Sequence, residues 1–165
     1  MRRTNFCLAL TAVVSLAVTA SAQAPTDPKC KAVQADLVEN RSDSCKPGDT
    51  PPCFLGEVDG NHGLRGTTYF KGESGALFPA GAPTFRSYVG NFEYTTATGT
   101  LTMREMGLSE PSANTTPDGG VVNAFQRVVS GTGEFEGATG FLFVSGFNRS
   151  GHIVTTVHGT ICTAR

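Results

Sequence analysis

The side chains here that could do chemistry are three histidines, a few carboxylates placed to meet, and four cysteines beyond residue 22. His152 and His158 share strand parity, but six residues at about 3.3 Å each hold them about 20 Å apart, too far to share one metal ion. His62, near Asp59, offers at most an adventitious ion site, and its ordinary role is a solvated turn residue. No metal and no cofactor is expected. Glu93 and Glu105 fall on segments joined by a single turn, so they can approach each other, with Arg86, Arg104 or Arg127 as partners. Facing acids of this kind are what glycoside chemistry requires. Surface placement is the ordinary outcome for such charges. The alternative directs Glu93, Glu105 and Arg127 inward as the polar floor of a ligand cavity, where burial raises carboxyl pKa values. No G-x-S-x-G elbow is present, and each cysteine is better used in a disulfide, so no catalytic residue is assigned.

Cysteine use follows compartment. Residues 1–22 carry Arg2 and Arg3, then a mostly apolar run from Phe6 to Val18, then Ala20-Ser21-Ala22, the small-x-small pattern that a signal peptidase accepts. A bilayer span needs about 20 apolar residues, and this run is shorter and threaded with Thr and Ser. The expected protein is therefore secreted or periplasmic, cleaved after Ala22, with no membrane span. Cys7 leaves with the signal. Cys30, Cys45, Cys53 and Cys162 remain, an even set with three possible pairings. No C-x-x-C pair occurs, which disfavours zinc. Cys30–Cys45 with Cys53–Cys162 is the favoured pairing. The first closes a local loop worth about 3 kcal/mol in the chain-entropy model, and the second ties the first strand to the last.

The whole chain of 165 residues carries 39% apolar and 16% charged residues, 20 glycines and a formal charge of −1. That composition excludes a disordered chain or coiled coil, and it supplies no basic field for nucleic acid. Residues 23–52, interrupted by five prolines, read as an N-terminal arm held by its disulfide; Cys30, Val33 and Leu37 give it one weak helical spacing over Cys30–Glu39. From Cys53 the pattern changes to short Thr-, Val-, Phe- and Tyr-rich segments between glycine-marked turns. Seven strands are predicted, over 54–58, 64–71, 84–95, 100–106, 121–130, 141–147 and 153–163. The 134–139 stretch holds either a bent eighth strand or a single helical turn.

No segment in 53–165 has a helical period long enough for a parallel crossover, so the sheet is expected to be antiparallel with sequence neighbours paired. So many consecutive strands curl into a sandwich or barrel, and the proposed Cys53–Cys162 bond favours a closed barrel. Tyr88, Phe92 and Tyr94 share one face of their strand. Phe141, Phe143 and Phe147 share a face too, yet Leu142 and Val144 are apolar on the other. A strand apolar on both faces must be covered on both, which predicts a homo-oligomer or cover by the arm.

The sharpest motif is Ser130-Gly-Thr-Gly-Glu-Phe-Glu-Gly-Ala-Thr-Gly140. Its G-T-G-x-F-x-G-A-x-G pattern, with Gly99-Thr-Leu-Thr and the closing Gly159-Thr-Ile-Cys162, resembles the allene oxide cyclase and dirigent barrel superfamily, particularly its uncharacterised exported bacterial members. The resemblance spans residues 54–163. It implies an all-β, closed antiparallel barrel of about eight strands with a central cavity, often assembled as a trimer. Physically, Gly131 and Gly133 relieve crowding where a strand bends, Gly137 and Gly140 permit positive φ, and Phe135 between them plugs one barrel end. No helix or lysine follows that could make this a phosphate cradle.

The cyclases and dirigent proteins guide reactive intermediates with a few polar cavity groups, none of which maps onto a matching residue here. The leading expectation is an exported barrel that binds a small hydrophobic ligand or acts as a non-enzymatic scaffold. One alternative is a dirigent- or cyclase-like barrel steering cyclisation or coupling. Another is an extracellular protein whose loops, chiefly Leu108–Gly120, contact a protein or glycan. Asn40, Asn114 and Asn148 carry N-x-S/T sequons expected in loops.

Overall fold

The computed structural model describes residues 29–77, 85–110 and 120–163. The expected signal segment and Asn114 lie outside these residues, as does most of the Leu108–Gly120 loop. Eight strands follow in order: β1 (Lys29–Ser42), β2 (Cys53–Gly60), β3 (Arg65–Leu77), β4 (Arg86–Thr96), β5 (Gly99–Ser109), β6 (Gly120–Gly131), β7 (Thr139–Arg149) and β8 (His152–Thr163). Each pairs antiparallel with its sequence neighbours, and β1 pairs with β8 to close the barrel. Closure removes every free edge of the sheet, which an open antiparallel layer of this size would have to protect.

One boundary needs correction. The stretch read as an arm supplies the first barrel strand, so the barrel begins at Lys29 rather than Cys53. Cys30–Glu39 is strand, not helix: Val33, Ala35, Leu37 and Glu39 are buried while their neighbours are exposed, a period of two. Among the described residues, 43–52 alone behave as an arm. They dock on the outside of β3 and β4, where Tyr69 donates a 2.5 Å hydrogen bond to Asp49 and Lys46 makes a 2.7 Å ion pair with Glu93.

The disulfide pairing is corrected for the same reason. Cys30 stands directly opposite Cys162 across β1 and β8, and the two are bonded; Cys45 is bonded to Cys53. With β1 between β2 and β8, Cys53 has no strand contact with Cys162.

The core fills one half of the barrel. Leu37, Phe92, Tyr94, Leu101, Met103, Leu142 and Val157 are almost wholly buried. Phe135, carried on a single 3-10 turn at Gly133–Phe135, is packed into the same cluster and stops that end. The turn lies so close to β6 that a Cβ on Gly131 would overlap the Phe135 backbone, while Gly133 and Gly137 hold φ of +60° and +68°. Side chains larger than hydrogen are therefore excluded or strained at all three positions.

Outside, Met106, Phe141, Phe143, Phe147 and Val154 are exposed, and the Phe125 ring lies 6.1 Å from Phe141 and 5.4 Å from Phe143. This apolar band crosses β5 to β8, on strands other than those that residues 43–52 cover.

Candidate functional site

The other half of the barrel is hollow. A cavity of about 550 Å³ occupies the end where β1, β3, β5 and β7 finish. Phe54, Phe70 and Tyr88 form one wall and Val122, Val144 and Ile153 the other; Pro52, Gly75, Arg86 and Ser109 mark the rim. The aromatic wall continues into the core as a chain of ring contacts, Phe54–Phe70 at 6.1 Å, Phe70–Phe92 at 6.1 Å and Phe92–Tyr94 at 4.7 Å. The wall is therefore held rigid by the packed half beneath it.

Strand alternation decides which polar groups reach this space. On β5, Leu101, Met103 and Glu105 point inward, and Glu105 is only 5% exposed. On β4, Phe92 and Tyr94 point inward, which sends Glu93 outward to Lys46. On β6, Gln126 points inward and Arg127 out to solvent. Of the three residues proposed for a polar floor, Glu105 alone lies in the cavity. Glu93 and Arg127 each stand one residue from an inward neighbour and so face away from it.

The partner of Glu105 inside the barrel is Glu39. It ends the inward series of β1, lines the same cavity and is 6% exposed. Tyr94 donates a 2.7 Å hydrogen bond to Gln126 Oε1, and Gln126 Nε2 donates a 2.5 Å bond to Glu105. Tyr88 also hydrogen-bonds Glu105. Glu39 has no such support: its Oε1 and the neighbouring Thr68 Oγ1 are buried without a hydrogen-bond partner. The two flank Gly56, where an added Cβ would lie 2.7 Å from both Glu39 Cγ and Thr68 Oγ1.

Burial raises both carboxyls. Glu39 is pushed from 4.5 to about 8, by desolvation first and by the charge of Glu105 second. Glu105 is pushed to about 7 by desolvation, opposed by its hydrogen bonds from Gln126 and Tyr88. The Tyr88 and Tyr94 hydroxyls rise as well, chiefly through burial, and stay protonated donors at neutral pH. The site is a largely apolar pocket whose floor carries two carboxyls raised toward neutrality.

The histidines take no part. His152 and His158 face outward on β8, with His152 Nδ1 2.8 Å from Asn40 Oδ1, and His62 sits in the β2–β3 turn at the other end. Among the described residues no three of His, Cys, Asp and Glu come together as a metal site would need. Asn40 and Asn148 lie in strands rather than loops, and Asn148 is buried, accepting a 2.9 Å hydrogen bond from Gly151 N. No described helix is long and apolar enough to cross a membrane. No protein-family model, curated protein or solved structure matches the chain.

Proposed function

We propose that this is an exported β-barrel that takes a small, largely apolar ligand into its hollow end. One observation carries the proposal: the barrel is packed solid from Phe135 to Tyr94, yet about 550 Å³ between Phe54, Phe70, Val122 and Val144 is left unfilled. Packed interiors rarely leave voids larger than a water molecule, so a space of this size with apolar walls calls for an occupant. The signal-like leader and two disulfides support an extracytoplasmic setting. The glycine run at residues 131–140, with its likeness to the allene oxide cyclase and dirigent superfamily, supports the cavity reading. Titration with the fluorescent apolar probe N-phenyl-1-naphthylamine tests it. Saturable binding that is lost in a folded Val144→Phe variant is expected; equal binding by that variant would refute it.

The cyclase-like alternative rests on Glu105 and its Tyr88 hydrogen bond, an acid and a donor at the cavity floor. Recovery of a natural ligand chemically unchanged after incubation would exclude it.

The outer band supports assembly with further copies. Strands β6 to β8 contain no acidic residue and expose Arg127, Arg149, Phe143 and Phe147. The outer face of β1 and β2 exposes Asp36, Glu57, Val38 and Leu55. One face is apolar and basic, the other apolar and acidic, so a head-to-tail contact between copies matches charge with charge. Sedimentation of wild type and Arg127→Glu is the test, with an oligomer expected for the first and a smaller species for the second. A monomeric wild type would rule assembly out.

A further inference from the structure

The cavity has an unusual charge distribution. Among the described residues its bases are Lys71 and Arg86, both at the rim: Lys71 Nζ is engaged by the Thr50 and Pro52 carbonyls and Arg86 is exposed. Its deep acidic groups are the carboxyls of Glu39 and Glu105, and among the described residues no basic side chain lies between them. Glu105 already receives two hydrogen bonds. Glu39 Oε1 and Thr68 Oγ1, on either side of Gly56, are buried polar atoms with no hydrogen-bond partner among the described residues. Leaving such atoms unpaired is costly, on the order of 1–3 kcal/mol each.

We propose that the occupant is a cation: an amphiphilic amine whose apolar body lies against Phe70 and Val144 and whose ammonium reaches Glu39. This rests on the cavity being a ligand site, and adds the chemical class of the ligand. An ammonium carries three N–H donors and a positive charge, which suit the Glu39 carboxyl lining the cavity. Its charge also favours the ionised form of the glutamates, since pairing with a cation offsets the cost of burying a carboxylate. The faces of Phe54, Phe70 and Tyr88 line its route and attract cations in their own right. A carboxylate ligand would add a third acid to a floor that already holds two. An alcohol would offer one donor and no positive charge to hold a glutamate ionised.

The test displaces bound N-phenyl-1-naphthylamine from the full-length protein at pH 7 with decylamine, decanol and decanoate, three chains of matched length. Decylamine is expected to compete at least about tenfold more tightly than decanol, a gap of about 1.4 kcal/mol. In Glu39→Gln that preference falls to within about twofold while decanol is unaffected. Glu105→Gln, made alongside, shifts the preference in the same direction. Decanol or decanoate competing as well as decylamine against wild type overturns the amine assignment and leaves the cavity reading standing. An undiminished amine preference in Glu39→Gln, with the variant folded by near-ultraviolet circular dichroism, overturns it too. Absence of probe binding to wild type removes the cavity reading and this inference with it.

Discussion

Glu39 and Glu105 enter the same cavity from β1 and β5, two strands that share no hydrogen bond, and the charge of one adds to the burial that keeps the other protonated. The barrel closure at β1–β8 fixes one, and the pairing of β5 with β4 and β6 fixes the other. Their meeting is a tertiary fact, and most of the behaviour expected of this protein descends from it.

Stability should fall as pH rises. Both carboxyls have folded-state values, about 8 and about 7, above the ordinary 4.5. Between those limits the folded chain binds more protons than the unfolded one, so unfolding is opposed at low pH. The contribution is complete below 4.5 and is lost as pH climbs through 7 and 8. Calorimetry should give a lower Tm at pH 8.5 than at pH 5.5, and Glu39→Gln should flatten the difference. A Tm that rises over this range would show that the acids are solvated.

Gly56→Ala should destabilise by about 1–3 kcal/mol, the usual cost of overpacking. A methyl there runs into the Val38 carbonyl as well as Glu39 and Thr68. Denaturant unfolding measures the loss, and a neutral result would mean that the β1–β2 contact is looser than described.

Tyr94→Phe removes a hydroxyl from the fully buried chain of Tyr94, Gln126 and Glu105. Gln126 Oε1 is then left without its donor, at a cost of about 1–3 kcal/mol. Combining it with Gln126→Leu should cost less than the sum of the two, because the second change removes the group that the first leaves unpaired. Strict additivity would deny the network.

Peptide mapping under non-reducing conditions should recover Cys30 joined to Cys162 and Cys45 joined to Cys53. The former closes a separation of 132 residues and the latter one of 8. In the chain-entropy model these are worth about 5 and about 2.5 kcal/mol. Cys30→Ala/Cys162→Ala should therefore lower stability more than Cys45→Ala/Cys53→Ala.

Strands β2 to β8 were legible because turn glycines and Thr-, Val- and Phe-rich runs punctuate them from Cys53 onward. The first strand was not, and its inward series shows why. Val33, Ala35 and Leu37 alternate as a strand should, but the next inward position is Glu39, an acid where an apolar residue is expected. Cys30, Val33 and Leu37 meanwhile fit a helical face. The local rule fails at the residue that the cavity needs, as it commonly does at functional sites. Losing β1 also misdirected the cysteines, since Cys162 could then find only Cys53 as a first-strand partner. The orientation of Glu105 was implicit in its alternation with Leu101 and Met103, and that of Glu93 in its alternation with Phe92 and Tyr94. Its link to Glu39 could not be read, because no sequence spacing connects residues that meet across a closed barrel.

The central claim is that an apolar molecule lodges inside the barrel and not on its phenylalanine-rich outer band. Intermolecular nuclear Overhauser effects from bound N-phenyl-1-naphthylamine decide this directly, because neighbouring residues on β5 to β8 point opposite ways. Contacts to the methyls of Val122, Val144 and Ile153 are predicted. Contacts confined to Met106, Phe143 and Val154 would place the molecule outside and contradict the account.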